Sequence, residues 1–235
     1  MAELETTTGR RWLYAAVLGF AAFVLLIWWV HRTDGPTALD QRVLSSVVDT
    51  RTAPVNLAAA VVTSLGSTVG VIIAAAALAL SLSWRTRSLR LPLVLTVAVV
   101  ETAAIVFLIK EVVARERPPV RWLIGTPAGD PAFPSGHTTN GTVVWLLGML
   151  FVSTTLVRRW SRAVLIATGT VTSLAIGLSR IYLGYHWTTD VLGGWLLALA
   201  VCGTAAYVVR RFHPAPADDD ASPRPLPAAR VRSRS

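Results

Sequence analysis

The sequence predicts an all-α, polytopic membrane protein with six transmembrane helices, and three observations carry that prediction. Of its 235 residues, 53% are hydrophobic and only 15% are charged, with a mean hydropathy of +0.55. Soluble domains carry about 25% charged residues. Six windows are apolar enough to cross roughly 30 Å of hydrocarbon, which takes about 20 residues of helix. Arginines cluster in alternate connections between those windows, the asymmetry that sets orientation in a bilayer.

The windows run over 12–30, 54–82, 91–113, 137–157, 163–178 and 188–209. Arg10 and Arg11 precede the first, as they would a signal peptide. Its apolar run exceeds the usual core of about 7–15 residues, however, and no small-residue cleavage site follows Trp28 and Trp29, so a retained helix is expected. Segment 37–50 spaces Leu39, Val43, Leu44, Val47 and Val48 at a near-helical period among Asp40, Arg42 and Asp49, which predicts a short amphipathic helix on the outer interface.

Arg85, Arg87 and Arg90 fill the turn between the second and third windows. Arg158, Arg159 and Arg162 fill that between the fourth and fifth, and Arg210 and Arg211 follow the sixth. With six spans these segments share one side with Arg10 and Arg11, and the positive-inside rule makes it the cytoplasm. Both termini are then cytoplasmic, while segments 114–136 and 179–187 face outward. Residues 213–235, rich in proline and charge, hold too little apolar surface to fold and are expected to be a disordered cytoplasmic tail whose arginines can touch anionic lipid. Residues 1–212 then form one membrane domain, with no internal repeat and no soluble domain.

The net charge of +9 would raise nucleic acid as a partner in a soluble protein. Here the positive charge falls between apolar windows and in the tail, so topology accounts for it and no nucleic acid is expected. The single cysteine, Cys202, lies inside an apolar window, which excludes an internal disulfide and reads as a small buried hydrophobe.

Three polar clusters fall on the predicted outer face. The first, "KEVVARERP", places Lys110 at the end of the third window and Arg117 seven residues on. Lys110 could be only a snorkelling anchor, yet it is the sole lysine in a chain that otherwise uses arginine. The second, "PSGH", spans Pro134 to His137 and opens the fourth window. Ser135 fits an ordinary helix cap, but the free amides and positive end of a helix also attract anions, and Gly136 allows close approach.

The third, "SRIYLGYHWTTD", runs from Ser179 to Asp190. His186 and Asp190 are four apart and so share a helix face. Asp190 could merely cap a helix beside an interfacial histidine. It could also hold one imidazole nitrogen so that the other presents a lone pair, the arrangement of a nucleophile and its orienting group. Of the remaining histidines, His31 falls in an interfacial loop and His213 in the tail.

Together the clusters describe a phosphate site. Lys110, Arg117 and Arg180 supply positive charge, and Ser135 with the Gly136 amide supplies neutral donors. Phosphoryl transfer depends mostly on such positioning and electrostatics. One histidine can attack phosphorus while the other protonates the leaving oxygen. The acidic residues nearby are too few to hold magnesium, so no metal or other cofactor is expected.

These residues closely resemble the type 2 phosphatidic acid phosphatase superfamily, which also holds bacterial acid phosphatases and vanadium haloperoxidases. Its signature of K-x6-RP, PSGH and SR-x5-H-x3-D reads here as Lys110–Arg117–Pro118, Pro134–Ser135–Gly136–His137 and Ser179–Arg180–His186–Asp190, with every spacing met. The resemblance covers the third to sixth windows, about half of the chain. It implies a catalytic core built from those helices and a metal-independent phosphatase in which His186 forms a phosphohistidine. Asp190 would hold His186, and His137 would protonate the leaving alcohol. Lys110, Arg117, Ser135, Gly136 and Arg180 would bind the phosphate.

Six spans with an outward site look like the integral-membrane lipid phosphatase branch, which places the site at headgroup level. The expected substrates are phosphatidate-like monoesters or polyprenyl diphosphates in the cell membrane. Two alternatives keep the same side chains: a vanadate-dependent haloperoxidase, and a non-catalytic protein that binds or moves lipid phosphates. Glu101 lies nine residues before Lys110, about 13 Å along the axis at 1.5 Å per residue. It is either a protonated or hydrogen-bonded structural group or part of the floor of the substrate cavity. Arg121 and Trp122 could touch a headgroup or serve as interfacial anchors.

Overall fold

The computed structural model describes residues 2–33 and 35–212, and these contain no β-strand. The predicted tail, with His213, lies outside the described residues. Among the described residues nine α-helices follow in order: α1 (Ala2–Arg32), α2 (Ala38–Asp49), α3 (Ala53–Ser64), α4 (Thr68–Thr86), α5 (Arg90–Val113), α6 (Gly136–Thr142), α7 (Gly148–Thr154), α8 (Arg159–Tyr182) and α9 (Thr188–Phe212). A π-helical turn, Val143–Leu147, joins α6 to α7, and a short 3-10 turn, Val120–Trp122, lies in the long connection after α5.

Among the described residues, five stretches are long and apolar enough to cross a membrane: Gly9–Arg32, Thr68–Thr86, Arg90–Val113, Arg159–Tyr182 and Thr188–Phe212. They match five of the six expected windows, with one difference of substance. The window over 54–82 does not form one helix. It breaks at Leu65–Ser67, where Ser67 starts α4 afresh by accepting a hydrogen bond from the Gly70 amide at 3.1 Å. The expected fourth span is the run through α6, the π-turn and α7, helical without interruption from Gly136 to Thr154.

The amphipathic segment is helical as expected. Thr37 caps α2 and Asp40 returns the bond, since the Thr37 amide donates to Asp40 Oδ2 at 3.0 Å and Thr37 Oγ1 accepts from the Asp40 amide at 3.2 Å. Leu44 and Asp40 on this helix are fully buried.

Helix α9 is the hub of the bundle. Of its most apolar window 56% is buried, against 22% for α4, whose remaining surface faces outward as a lipid-exposed helix does. Inside a bilayer the helices gain little from the hydrophobic effect, and close packing of small residues holds them together instead. The α1–α9 contact shows this: a Cβ at Gly203 would sit 2.7 Å from the Ala16 amide nitrogen and 2.9 Å from the Trp12 carbonyl. A second packed region joins Val71, Leu78 and Leu82 of α4, Leu95 of α5, the π-turn, Phe151 of α7 and Cys202 of α9. Nearer the site, Phe23 of α1 stacks on Phe133 with ring centroids 5.9 Å apart.

Candidate active site

Three connections are laced together at one end of the bundle. The Ser135 amide donates to the Asp190 carbonyl at 3.0 Å, the Ala132 amide to the Arg115 carbonyl at 2.8 Å, and Trp187 Nε1 to the Glu116 carbonyl at 2.9 Å. The α8–α9 turn is pinned by its own backbone, because the Tyr185 and His186 amides both donate to the Arg180 carbonyl. Gly184 makes that turn possible. Its φ is +78°, which side chains rarely adopt, and a Cβ there would run into the Trp122 carbonyl.

The turn delivers His186 with 1% of its surface exposed. Its Nδ1 faces Asp190 Oδ2 at 3.5 Å, and its Nε2 lies 3.2 Å from Arg117 Nη1. Burial, with Arg117, Arg180, Lys110 and His137 around it, pushes the imidazole well below the usual histidine range. The ring is therefore neutral near physiological pH and keeps a lone pair.

Lys110, Arg117, Gly136, His137, Arg180 and His186 all line one cavity of about 520 Å³. Each element contributes in the register the sequence sets. Lys110 comes from the last turn of α5, Gly136 and His137 from the first turn of α6, and Arg180 from the last turn of α8. Arg180 donates to Thr63 Oγ1 at 3.0 Å and lies 3.8 Å above the Tyr185 ring, while its Nε has no partner among the described residues. The far wall of the cavity is apolar, formed by Val71 and Ile72 of α4 with Val99, Val100 and Ala103 of α5. Ile72 and Val100 are 62% and 64% exposed, so the cavity continues onto the outer surface between the two helices.

Two of the expected phosphate and catalytic residues stand behind this lining. Asp190 is fully buried behind His186. Ser135 is also fully buried, with its hydroxyl accepting from Thr138 Oγ1 at 2.9 Å in the role of helix cap. Glu101 does not reach the cavity. It lies half a helical turn from Lys110, in a separate groove between α1, α5 and α9 lined by Phe20, Phe23, Leu197 and Ala200. Of the two readings offered for Glu101, the one that floors the substrate cavity is set aside: nine residues at 100° each put the two side chains on opposite faces. Arg121 packs its guanidinium 4.9 Å over the Trp122 ring, and both line a second hollow that shares Arg117 with the cavity.

Sequence reasoning missed four residues that the structure brings to the site. Asp130 bridges two of its cations, at 2.7 Å from Lys110 and 2.8 Å from Arg117. Burial pushes this carboxyl up, but its hydrogen bond to Lys110 and the charges of Lys110 and Arg117 hold it below the usual carboxylate range. Thr63 receives Arg180 from the end of α3. Arg115 and Asp40 stand beyond Asp190. Asp130 and Arg115 were readable as extra charges inside the motif region, whereas nothing local marks Thr63 or Asp40.

Comparison with known proteins agrees with this geometry. A model of the family described as the PAP2 superfamily matches residues 89–214. The chain is 37% identical over 81 residues to YbjG of Escherichia coli (strain K12), named as an undecaprenyl-diphosphatase, covering 34% of this chain and 36% of that one. It is also 37% identical over 93 residues to Phosphatidylglycerophosphatase B of Bacillus subtilis (strain 168), covering 39% and 44%. The matched stretches thus span less than half of either relative. Among solved structures, the crystal structure of a transmembrane PAP2 type phosphatidylglycerolphosphate phosphatase from Bacillus subtilis superimposes with a TM-score of 0.79 over 86% of this chain and 99% of that one. The identity there is 22%, so that likeness is one of fold. Taken with the apolar helices, it makes this chain an integral membrane protein of that fold.

Proposed function

This chain belongs to the PAP2 superfamily, and from that premise we propose that it is a metal-independent phosphatase of membrane lipid phosphates, working through a phosphohistidine on the extracytoplasmic face. One observation carries the reading. A cationic cradle and two histidines share a single cavity whose other wall is the exposed apolar surface of α4 and α5. A lipid can set its phosphate among Lys110, Arg117 and Arg180 while its chain stays between the two helices, in contact with the bilayer.

The steps follow from the side chains. His186 Nε2 attacks phosphorus as the bond to the leaving oxygen breaks. His137 gives that oxygen its proton, and the lipid leaves as an alcohol or, from a diphosphate, as the shorter phosphate. His137 then takes a proton from water, whose oxygen attacks the phosphohistidine and returns His186 neutral with release of inorganic phosphate. The spreading negative charge is met by Lys110, Arg117, Arg180 and the amides opening α6, at a helix end that favours anions.

The polarity argument supports an outward site. Arg85, Arg87, Arg158, Arg159, Arg210 and Arg211 lie at the opposite ends of their helices from Lys110 and Arg180. The run from Gly136 to Thr154 is about 28 Å long at 1.5 Å per residue, close to the roughly 30 Å of a hydrocarbon core. It supplies the sixth crossing, which this topology needs.

Phosphate release tests the proposal. In detergent with a chelator present, the purified chain is expected to release phosphate from phosphatidate or from a polyprenyl diphosphate. Full activity in His186→Ala would sink the mechanism. Phospholipid binding without turnover would point to a binding protein, and halide oxidation with added vanadate would point to a haloperoxidase.

A further inference from the structure

Behind the candidate nucleophile lies an ionic cluster that ties Asp190 of the third motif to Arg115 and Asp40, neither of which is a signature position. Arg115 follows α5 and is 8% exposed; Asp40, on α2, and Asp190 are both fully buried. The Arg115 guanidinium sits between the two carboxylates. Its Nη1 donates to Asp190 Oδ1 at 2.5 Å and to Thr189 Oγ1 at 2.6 Å, and its Nη2 donates to Asp40 Oδ2 at 2.8 Å. Asp40 also accepts from the Thr189 amide at 2.9 Å, so a side chain of α2 satisfies one of the free amides at the start of α9.

The division of oxygens on Asp190 is the informative part. Oδ1 goes to Arg115, while Oδ2 accepts from the Trp187 amide at 2.8 Å and faces His186 Nδ1. A buried carboxylate left without a cation is costly, and its charge and rotamer are both set by whatever partner it has. Here that partner approaches from the side away from the imidazole. We infer that Arg115 and Asp40 are positioning residues for the nucleophile: Arg115 locks Asp190 through one oxygen so that the other is aimed at His186, and Asp40 anchors both Arg115 and the first turn of α9. Helix α2 is then part of the catalytic scaffold as well as an interfacial element.

The inference rests on the phosphatase reading given above, and the experiment separates the two. Phosphate release from dioleoyl phosphatidate in detergent micelles is measured for wild type, Arg115→Met, Arg115→Lys and Asp40→Asn, together with each protein's thermal unfolding. An inactive wild type would remove the function itself. With an active wild type, Arg115→Met and Asp40→Asn should each lower kcat about tenfold or more, by analogy with the loss of outer partners that orient the acting side chains of metal sites. KM should stay within about threefold, because neither residue reaches the phosphate. Arg115→Lys keeps the charge but cannot reach both carboxylates in fork geometry, so it should fold and recover only part of the loss. Folded variants with wild-type kcat, or a loss confined to KM, would overturn the inference. Failure of all three variants to fold would also overturn it, by making the cluster a structural clasp alone.

Discussion

At the residue scale, the candidate site is a balance between a buried neutral base and a crowd of cations. His186 stays neutral because burial and the surrounding positive charges oppose protonation. The sign of the pH effect follows. Protonation would remove the attacking lone pair, and a lowered pKa delays it, so the imidazole remains competent as pH falls through the ordinary value of about 6.5. The proposed acid, His137, must carry a proton in the first step, so kcat/KM also follows its titration. Corrected for that and for the substrate's own ionisation, the limb set by His186 should lie below that point. An acidic limb set by His186 at or above about 6.5 would contradict the burial argument.

Asp130 supplies the opposite charge. Its side chain is 53% exposed, so its pairs with Lys110 and Arg117 are screened and worth about 0.5–1 kcal/mol each at most. A phosphate binding to the same two cations must share them with this carboxylate. Asp130→Asn should therefore tighten inhibition by inorganic phosphate roughly three- to tenfold, read from product-inhibition constants. Weaker inhibition would mean that Asp130 chiefly holds the two cations in place.

At the scale of elements, the break between α3 and α4 is the feature that the apolar pattern hides. A window of hydropathy averages over Leu65, Gly66 and Ser67, and all three are compatible with a span. The Gly-Ser pair followed by Gly70 was the available signal, since serine caps the new helix. The break matters because it brings Gly66 and Thr68 to the cavity wall and Thr63 to Arg180. A Cβ on Gly66 would lie 2.5 Å from Ile176 Cγ2 and 2.9 Å from the His137 carbonyl. Gly66→Val should cost about 1–3 kcal/mol of stability through overpacking and lower kcat/KM by displacing the start of α6. Unfolding in detergent and steady-state kinetics would check both, and a neutral result would show that the break has room to yield.

The same contrast explains what the sequence could reveal about the site. Lys110, Gly136, His137 and Arg180 sit in the end turns of helices, so their spacings were legible before any fold was known. His186 lies in the α8–α9 turn, two residues before α9, so it meets Asp190 across that turn and not on the shared helix face the spacing predicted. Ser135 was legible as a cap. Asp40 and Thr63 act across more than a hundred residues of chain, on Thr189 and Arg180, and no local pattern encodes such a pairing. For Glu101 the depth and the face opposite Lys110 both follow from the nine-residue spacing, and only the groove it lines depends on how α1 and α9 pack against α5.

At the scale of the whole molecule, composition and arginine placement sufficed for the helical membrane fold, because both report directly on the solvent around the chain. Sidedness can be read with single cysteines, since Cys202 is buried and should not react. Cysteine at Thr126, in the long connection after α5, should be labelled in intact cells by a membrane-impermeant maleimide. Cysteine at Val157, 90% exposed in the α7–α8 turn, should react only after the cells are opened. The reverse pattern would turn the site toward the cytoplasm.

The central claim is a covalent phosphoryl group on His186. Brief reaction of the purified protein with phosphatidate carrying a radioactive phosphate, in the presence of a chelator, should leave label on the protein that survives alkali and is lost in acid. That label should be absent from His186→Ala. Turnover without such label, or label that persists in His186→Ala, would contradict the account.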